Sequence, residues 1–252
     1  MELRYAIVLK YGSPFMERKI ILTEDGSHTI SIPEMGVTYH SIHGAIQESQ
    51  HVFIEAGLHY VSDILKVSDT VRIFEMGFGT GLNALLTYLK AEKSQLKIYY
   101  ETIEPLPLNK EEVRSLNYCQ QLNRSDLQSV FKKFHFCEWK KEIQLSSIFV
   151  FKKSINKLIN HLPNKSFSLI YFDAFDPNIQ PELWTKEVFK KLFSIIESNG
   201  ILVTYSSKSD VRRAMQAAGF KVEKIPGAKG KREMIRAIKT NFPKTVISFL
   251  AV

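Results

Sequence analysis

Three glycines at alternate positions mark the stretch Ile73-Phe74-Glu75-Met76-Gly77-Phe78-Gly79-Thr80-Gly81-Leu82-Asn83, which joins a short apolar run to a helix-forming segment. Glycine accepts φ > 0 and puts no Cβ in the path of a ligand, and the amides at a helix start are free to donate to one. A dinucleotide fingerprint needs glycine again at the sixth position, for close helix packing, and here that position is Leu82. Glu75 at the strand end would repel a pyrophosphate and attract an ammonium or sulfonium group. The spacing and charge of Glu75, Gly77, Gly79 and Gly81 therefore favour S-adenosylmethionine over a nicotinamide cofactor.

Other polar residues stand where apolar runs end. Glu104 closes Ile98-Tyr99-Tyr100-Glu101-Thr102-Ile103, where a carboxylate can accept both ribose hydroxyls. Glu101 in the same run reads as an exposed charge. The run Ile170-Tyr171-Phe172 breaks into Asp173-Ala174-Phe175-Asp176-Pro177. For methyl transfer to an amine, the amine must first lose its proton, and a carboxylate can orient or deprotonate it. Asp173, directly after the buried run, is the candidate; Asp176 before proline either shapes the turn or meets substrate. The loop Pro226-Gly227-Ala228-Lys229-Gly230-Lys231-Arg232-Glu233 sets Lys229, Lys231 and Arg232 among glycines. It could hold phosphate of a polynucleotide or be a solvated basic hairpin, and Arg212 and Arg213 could extend it. Trp184 reads as a packing residue. The histidines form no HExxH set, so no metal site is expected, and no GxSxG or Cys-His pattern suggests a hydrolase.

The elements that position these residues alternate. Strands are expected at 71–75, 97–103, 148–151, 168–172, 200–205 and 221–225, with helices at 82–90, 155–161, 187–196 and 210–218. This predicts an α/β fold with a mostly parallel, doubly wound sheet and helices on both faces. Segments 233–238 and 245–250 could complete the sheet, one of them antiparallel. A hairpin over 18–32 turning at Asp25-Gly26, then a helix over 43–58, form an N-terminal appendage. The expected division is residues 1–60 as hairpin and helix, and 61–252 as the main domain.

The 252-residue chain is 44% hydrophobic, enough for one large core with a small appendage. Its formal charge of +8 suits a phosphate-rich partner, without requiring one. Cys119 and Cys137 have no metal-ligand or CxxC spacing, which points to a reducing compartment, the cytoplasm by default. Neither a signal-peptide pattern nor a membrane-length apolar run is present, so no membrane partner is expected.

The chain resembles the methyltransferase domain of the bacterial tRNA 5-methylaminomethyl-2-thiouridine biosynthesis enzyme. The likeness runs through Gln47-Glu48-Ser49 with Val52-Phe53, the glycine stretch through Asn83, and Asp173-Ala174-Phe175-Asp176-Pro177 with Trp184-Thr185. It continues through Val211-Arg212-Arg213 with Ala218-Gly219-Phe220 and Lys231-Arg232-Glu233-Met234. The resemblance implies the class I S-adenosylmethionine-dependent methyltransferase fold and methylation of the aminomethyl group of a tRNA wobble uridine. It implies that Gly77, Gly79 and Gly81 line the methionine part of the cofactor and Glu104 the ribose. Asp173 would face the amine, and Gln47 and Glu48 would belong to a segment closing over the cofactor. Two departures stand out. Phe151-Lys152-Lys153-Ser154-Ile155 lacks the acid that such proteins often offer to the adenine amino group. The chain also stops where bifunctional members continue into a flavin-dependent oxidase, so a stand-alone enzyme without flavin is expected, using a substrate made by other enzymes. The competing readings are an aminopropyltransferase acting on a polyamine, disfavoured by the basic balance, and an RNA-binding module of the same fold without catalysis.

Overall fold

Strand β4 (Val71–Met76) and strand β8 (Phe167–Phe172) are apolar almost throughout, and they lie at the centre of an eight-stranded sheet. A computed structural model describes residues 17–64, 70–161 and 163–240 of the chain. The remaining strands of this sheet are β5 (Ile98–Ile103), β6 (Glu142–Ser146), β7 (Phe149–Ser154), β9 (Ile196–Thr204), β10 (Lys221–Pro226) and β11 (Glu233–Ile238). Their order is β10-β11-β9-β8-β4-β5-β7-β6. The five strands from β9 to β7 run parallel, while β11 pairs antiparallel with β9 and β10, and β6 antiparallel with β7. Strand order reverses at β4, which has β5 on one side and β8 on the other; this is where open α/β sheets bind ligands.

Helices cover both faces, because strands buried on both sides need apolar partners above and below. On one face lie α3 (Leu82–Ser94), α6 (Gln128–Phe136) and a helical run comprising α1 (Ala45–Ser49), a π-helical stretch Gln50–His59 and α2 (Tyr60–Ile64). Phe53, Leu58, Leu85, Phe131 and Phe134 pack there against Ile73, Tyr100 and Phe151. On the other face α7 (Lys186–Ile195) and α8 (Ser209–Ala217) bring Phe189, Leu192, Val211 and Met215 onto Phe74, Ile170 and Leu202. Short helices α4 (Lys110–Ser115) and α5 (Tyr118–Gln121) bridge β5 to α6. Asn109 and Glu112 cap α4 reciprocally, with Glu112 N–H donating to Asn109 Oδ1 at 2.8 Å and Asn109 N–H to Glu112 Oε2 at 2.7 Å.

Several elements differ from expectation. The N-terminal hairpin gains a third strand, giving β1 (Lys19–Leu22), β2 (His28–Ile32) and β3 (Val37–Thr38). Over 155–161 only one 3-10 turn forms, Leu158–Asn160, and β7 instead pairs with the unforeseen β6. Glu101 is fully buried rather than exposed, because Lys152 lies at 3.0 Å, His161 at 3.2 Å and the Tyr99 hydroxyl donates at 3.0 Å. Its carboxyl sits below the usual carboxylate range: burial pushes it up, but these partners outweigh that. Of the two segments expected to complete the sheet, 233–238 forms β11, antiparallel to β9, whereas 245–250 lies outside the described residues.

Candidate active site

The turn from β4 into α3 is tied to the end of β5. Gly77 and Phe78 N–H groups donate to Ile103 O at 3.2 and 3.3 Å, and Gly79 N–H donates to Glu104 Oε2 at 2.8 Å. At Gly77, φ is +93°, and a Cβ would stand 2.3 Å from the backbone oxygen of Asp173, so glycine is required for the β4 and β8 ends to meet. Gly79, at φ +50°, lies under the ring of Tyr39. Beyond these strand ends opens a cleft of about 650 Å³, within the usual range for small-molecule sites.

Gly77, Gly79, Glu104, Asp173, Asp176, Glu48 and Lys231 all line this cleft. Glu104 is buried, and its two oxygens accept from Gly79 and Leu106 N–H, each at 2.8 Å, which leaves further lone pairs for hydroxyl donors. Burial raises its pKa despite those bonds and the nearby Arg18 charge. Asp173 Oδ2 accepts from Asn83 Nδ2 at 2.9 Å. Burial first, then the Glu48 charge, push the Asp173 carboxyl up to about 7, against the pull of Asn83 and Lys231. Glu48 receives Ser41 N–H at 2.7 Å and Lys231 Nζ at 2.6 Å, and the same ammonium lies 3.9 Å from the Tyr205 ring centre. Asp176 meets Lys208 Nζ at 2.6 Å and Asn178 N–H at 2.9 Å, and together these hold its carboxyl below the usual range against the opposing effect of burial.

Other expected residues fall elsewhere. Glu75 does not line the cleft: it is fully buried beneath it, on the side of β4 that faces α3. Gly81 starts α3 and abuts His135 and Phe78. Gln47 is exposed and borders a separate shallow groove with Lys229, because a one-residue step along a helix turns the side chain by about 100° away from Glu48. Lys229 pairs with Glu24 at 3.0 Å. Arg232 is exposed, Arg212 is half-buried, and exposed Arg213 pairs with Asp210. Trp184 is buried between Phe172, Phe189 and Tyr205.

Sequence reasoning missed the wall formed by Tyr39, His40 and Ser41, and also Arg18 and the pair Asn156-Lys157 beyond β7. Tyr39 packs edge-on against Phe175 at 5.2 Å. His40, pushed down to about 4 by burial, is neutral at physiological pH and lies between Thr29 and Thr80 hydroxyls at 3.1 and 3.4 Å. No local pattern announces Tyr39 or His40, whereas Asn83, two residues after the last glycine, had a positional signal. Among the described residues, no group of three or more His, Cys, Asp or Glu could hold a metal ion.

The profile of the S-adenosyl-L-methionine-dependent methyltransferase family matches residues 117–240. The chain is 30% identical over 210 residues to the tRNA 5-methylaminomethyl-2-thiouridine biosynthesis bifunctional protein MnmC of Leptospira interrogans, covering 78% of this chain and 32% of that protein. To the protein of the same name from Burkholderia thailandensis it is 27% identical over 232 residues, covering 86% and 34%. The chain thus spans about a third of the length of these relatives. In fold it is similar to the crystal structure of MNMC2 from Aquifex aeolicus, with a TM-score of 0.70 and 23% identity over 94% of this chain and 77% of that one. It is also similar to spermidine synthase from Thermotoga maritima, with a TM-score of 0.51 and 12% identity over 90% and 70%.

Proposed function

We propose that this chain is an S-adenosyl-L-methionine-dependent methyltransferase and that it methylates the amine of 5-aminomethyl-2-thiouridine, or of its uridine counterpart, at the tRNA wobble position. The observation that carries this reading is Asp173, a carboxyl in the cleft at the end of β8 whose pKa is raised to about 7. Such a group can take a proton from an ammonium near neutral pH, where an ordinary aspartate is too weak a base. The bifunctional relatives carry tRNA 5-methylaminomethyl-2-thiouridine biosynthesis in their names, and the chain matches them over most of its own length.

The residues present fit the cofactor. Glu104 offers carboxylate lone pairs to a ribose diol, while Gly77 and Gly79 bring bare backbone to the cleft wall. Phe78, Ile103 and Leu158 supply apolar surface for a base. Asn156 and Lys157 line the cleft directly after the segment 151–155 that lacks the acid expected for adenine, and the Asn156 side chain can both donate to and accept from the adenine edge. S-adenosylmethionine supplies a methyl group made electrophilic by its sulfonium. The chain supplies the rest: Asp173 orients the amine and holds the proton it loses, Asn83 keeps the Asp173 carboxylate in place, and Tyr39 with Phe175 closes the wall against water. The described residues of the 1–60 segment would act as the cover of this cleft, and those of 61–252 as its base.

The basic groups Lys231, Arg232, Arg212 and Lys229 would meet tRNA phosphates, with the enzyme working in the cytoplasm beside its substrate. No helix among the described residues is long and apolar enough to cross a membrane. The test is transfer of labelled methyl from S-adenosylmethionine to tRNA from cells lacking this protein, followed by nucleoside analysis. Label confined to the aminomethyl wobble uridine is expected. Cofactor binding without transfer to tRNA would overturn the substrate assignment and direct the search to free amines.

A further inference from the structure

Glu75 is fully buried, in register with Thr102 of β5 and Tyr171 of β8. Neither of its carboxyl oxygens has a hydrogen-bond partner among the described residues, and the same holds for Asn83 Oδ1, Tyr100 OH and Thr102 Oγ1. These atoms belong together, since the groups flanking the Glu75 carboxyl are the Thr102 and Tyr100 hydroxyls and the Asn83 amide. The titratable groups that face it are Tyr100 from β5, Tyr171 from β8 and Asp173 just beyond the end of β8; no cation among the described residues pairs with it.

Counting donors decides the state of this cluster. With Glu75 ionised, the two hydroxyl protons satisfy the carboxylate, Asn83 Oδ1 is left without a donor, and an unpaired anion is buried beside Asp173. With Glu75 neutral, one more donor is available and every orphaned atom finds a partner. We propose that Glu75 is a positioning residue that stays protonated, accepts from the Tyr100 and Thr102 hydroxyls and donates its carboxyl O–H to Asn83 Oδ1. This locks the amide so that Asn83 Nδ2 donates to Asp173 Oδ2 at 2.9 Å. Glu75 is thus a neutral clamp two hydrogen bonds removed from Asp173 and three from the reacting amine, and it does not touch the cofactor. The assignment rests on Asp173 being the proton acceptor proposed above. Burial first, and then the Asp173 charge, raise the Glu75 pKa and outweigh the pull of the Thr102, Asn83 and Tyr100 side chains, which lower it.

The experiment compares wild type, Glu75→Gln and Glu75→Met by NMR of isotope-labelled aspartate and glutamate carboxyl carbons, and by the pH dependence of kcat. In the wild type the Glu75 resonance stays protonated through neutral pH. Glutamine keeps a donor for Asn83 Oδ1, so the Asp173 midpoint and kcat in Glu75→Gln remain within about twofold of wild type. Methionine removes the donor, Asn83 is released, the Asp173 midpoint rises, and kcat at neutral pH falls about tenfold with the KM for S-adenosylmethionine unchanged. An ionised Glu75 gives the opposite sign: both variants then delete a neighbouring negative charge and the Asp173 midpoint falls. That result, or a tenfold loss of cofactor affinity in Glu75→Gln, overturns the proposal. If Glu75→Met does not fold, the wild-type resonance and Glu75→Gln still decide. The NMR readings need no substrate, so failure of the clamp is separable from failure of the tRNA assignment.

Discussion

Asp173 combines two properties that oppose each other. Its raised pKa makes it a competent proton acceptor near neutrality, and the same burial makes its ionised form costly to the fold. Asp173→Asn is therefore expected to lower kcat by about 10²–10⁴-fold with little change in cofactor affinity, as measured by single-turnover methyl transfer and calorimetry. The wild-type rate should rise with pH through about 7 as Asp173 ionises. Because the folded pKa lies above the unfolded one, the stability tied to the neutral carboxyl is present at low pH and lost as pH rises through about 7. Asp173→Asn should thus melt above wild type at about pH 8 and close to it at about pH 4. Glu104→Ala, by contrast, should weaken S-adenosylmethionine binding about 10–100-fold by removing two ribose acceptors, and leave turnover at saturation nearly intact. The place of these two residues in the cleft was readable from sequence because a single acid follows an apolar run. Glu75 and Glu101 were not read correctly: what surrounds a strand carboxylate comes from other strands and from His161, sixty positions further along.

At the level of elements, the hardest constraint is the approach of the β4–α3 turn to the β8 end. Gly77→Ala should destabilise the protein by about 2–4 kcal/mol in denaturant titration, since the atom opposing the new methyl is backbone and cannot rotate away. Asn109→Ala should cost about 0.5–2 kcal/mol, because Asn109 caps α4 and that helix supplies Glu112 to Arg18 at 3.3 Å. The central strands were legible because β8, Phe-Ser-Leu-Ile-Tyr-Phe, is buried at every position, and a run of that length with flanking breakers has few alternatives. β6 was missed because Glu-Ile-Gln-Leu-Ser alternates on a half-exposed sheet edge and carries little apolar signal. The segment 155–161 has helical spacing but spends its apolar residues elsewhere, with Leu158 buried beside the cleft and His161 stacked on Phe74 at 5.3 Å. Tertiary contacts there overrode a local pattern.

For the molecule as a whole, the +8 charge is unevenly available. Lys229, Lys231 and Lys208 are already neutralised by Glu24, Glu48 and Asp176, so a phosphate must compete for them. Arg232 is exposed and has no ion pair among the described residues. Arg232→Ala should therefore weaken tRNA binding across sequences and reduce the slope of log affinity against log salt by about one, measured by filter binding. Lys229→Ala should change that slope less.

The ion pair between Glu48 and Lys231 spans 183 positions of sequence. On a ribosome adding about 5–20 residues per second, Glu48 emerges roughly 10–40 s before its partner exists. The chain thus completes nearly the whole sheet before the cleft has its last wall. A nascent polypeptide holding every glycine and carboxylate of the site still lacks the strand pair that fastens Lys231 over it, and competence to hold a ligand arrives only once β10 and β11 have been made.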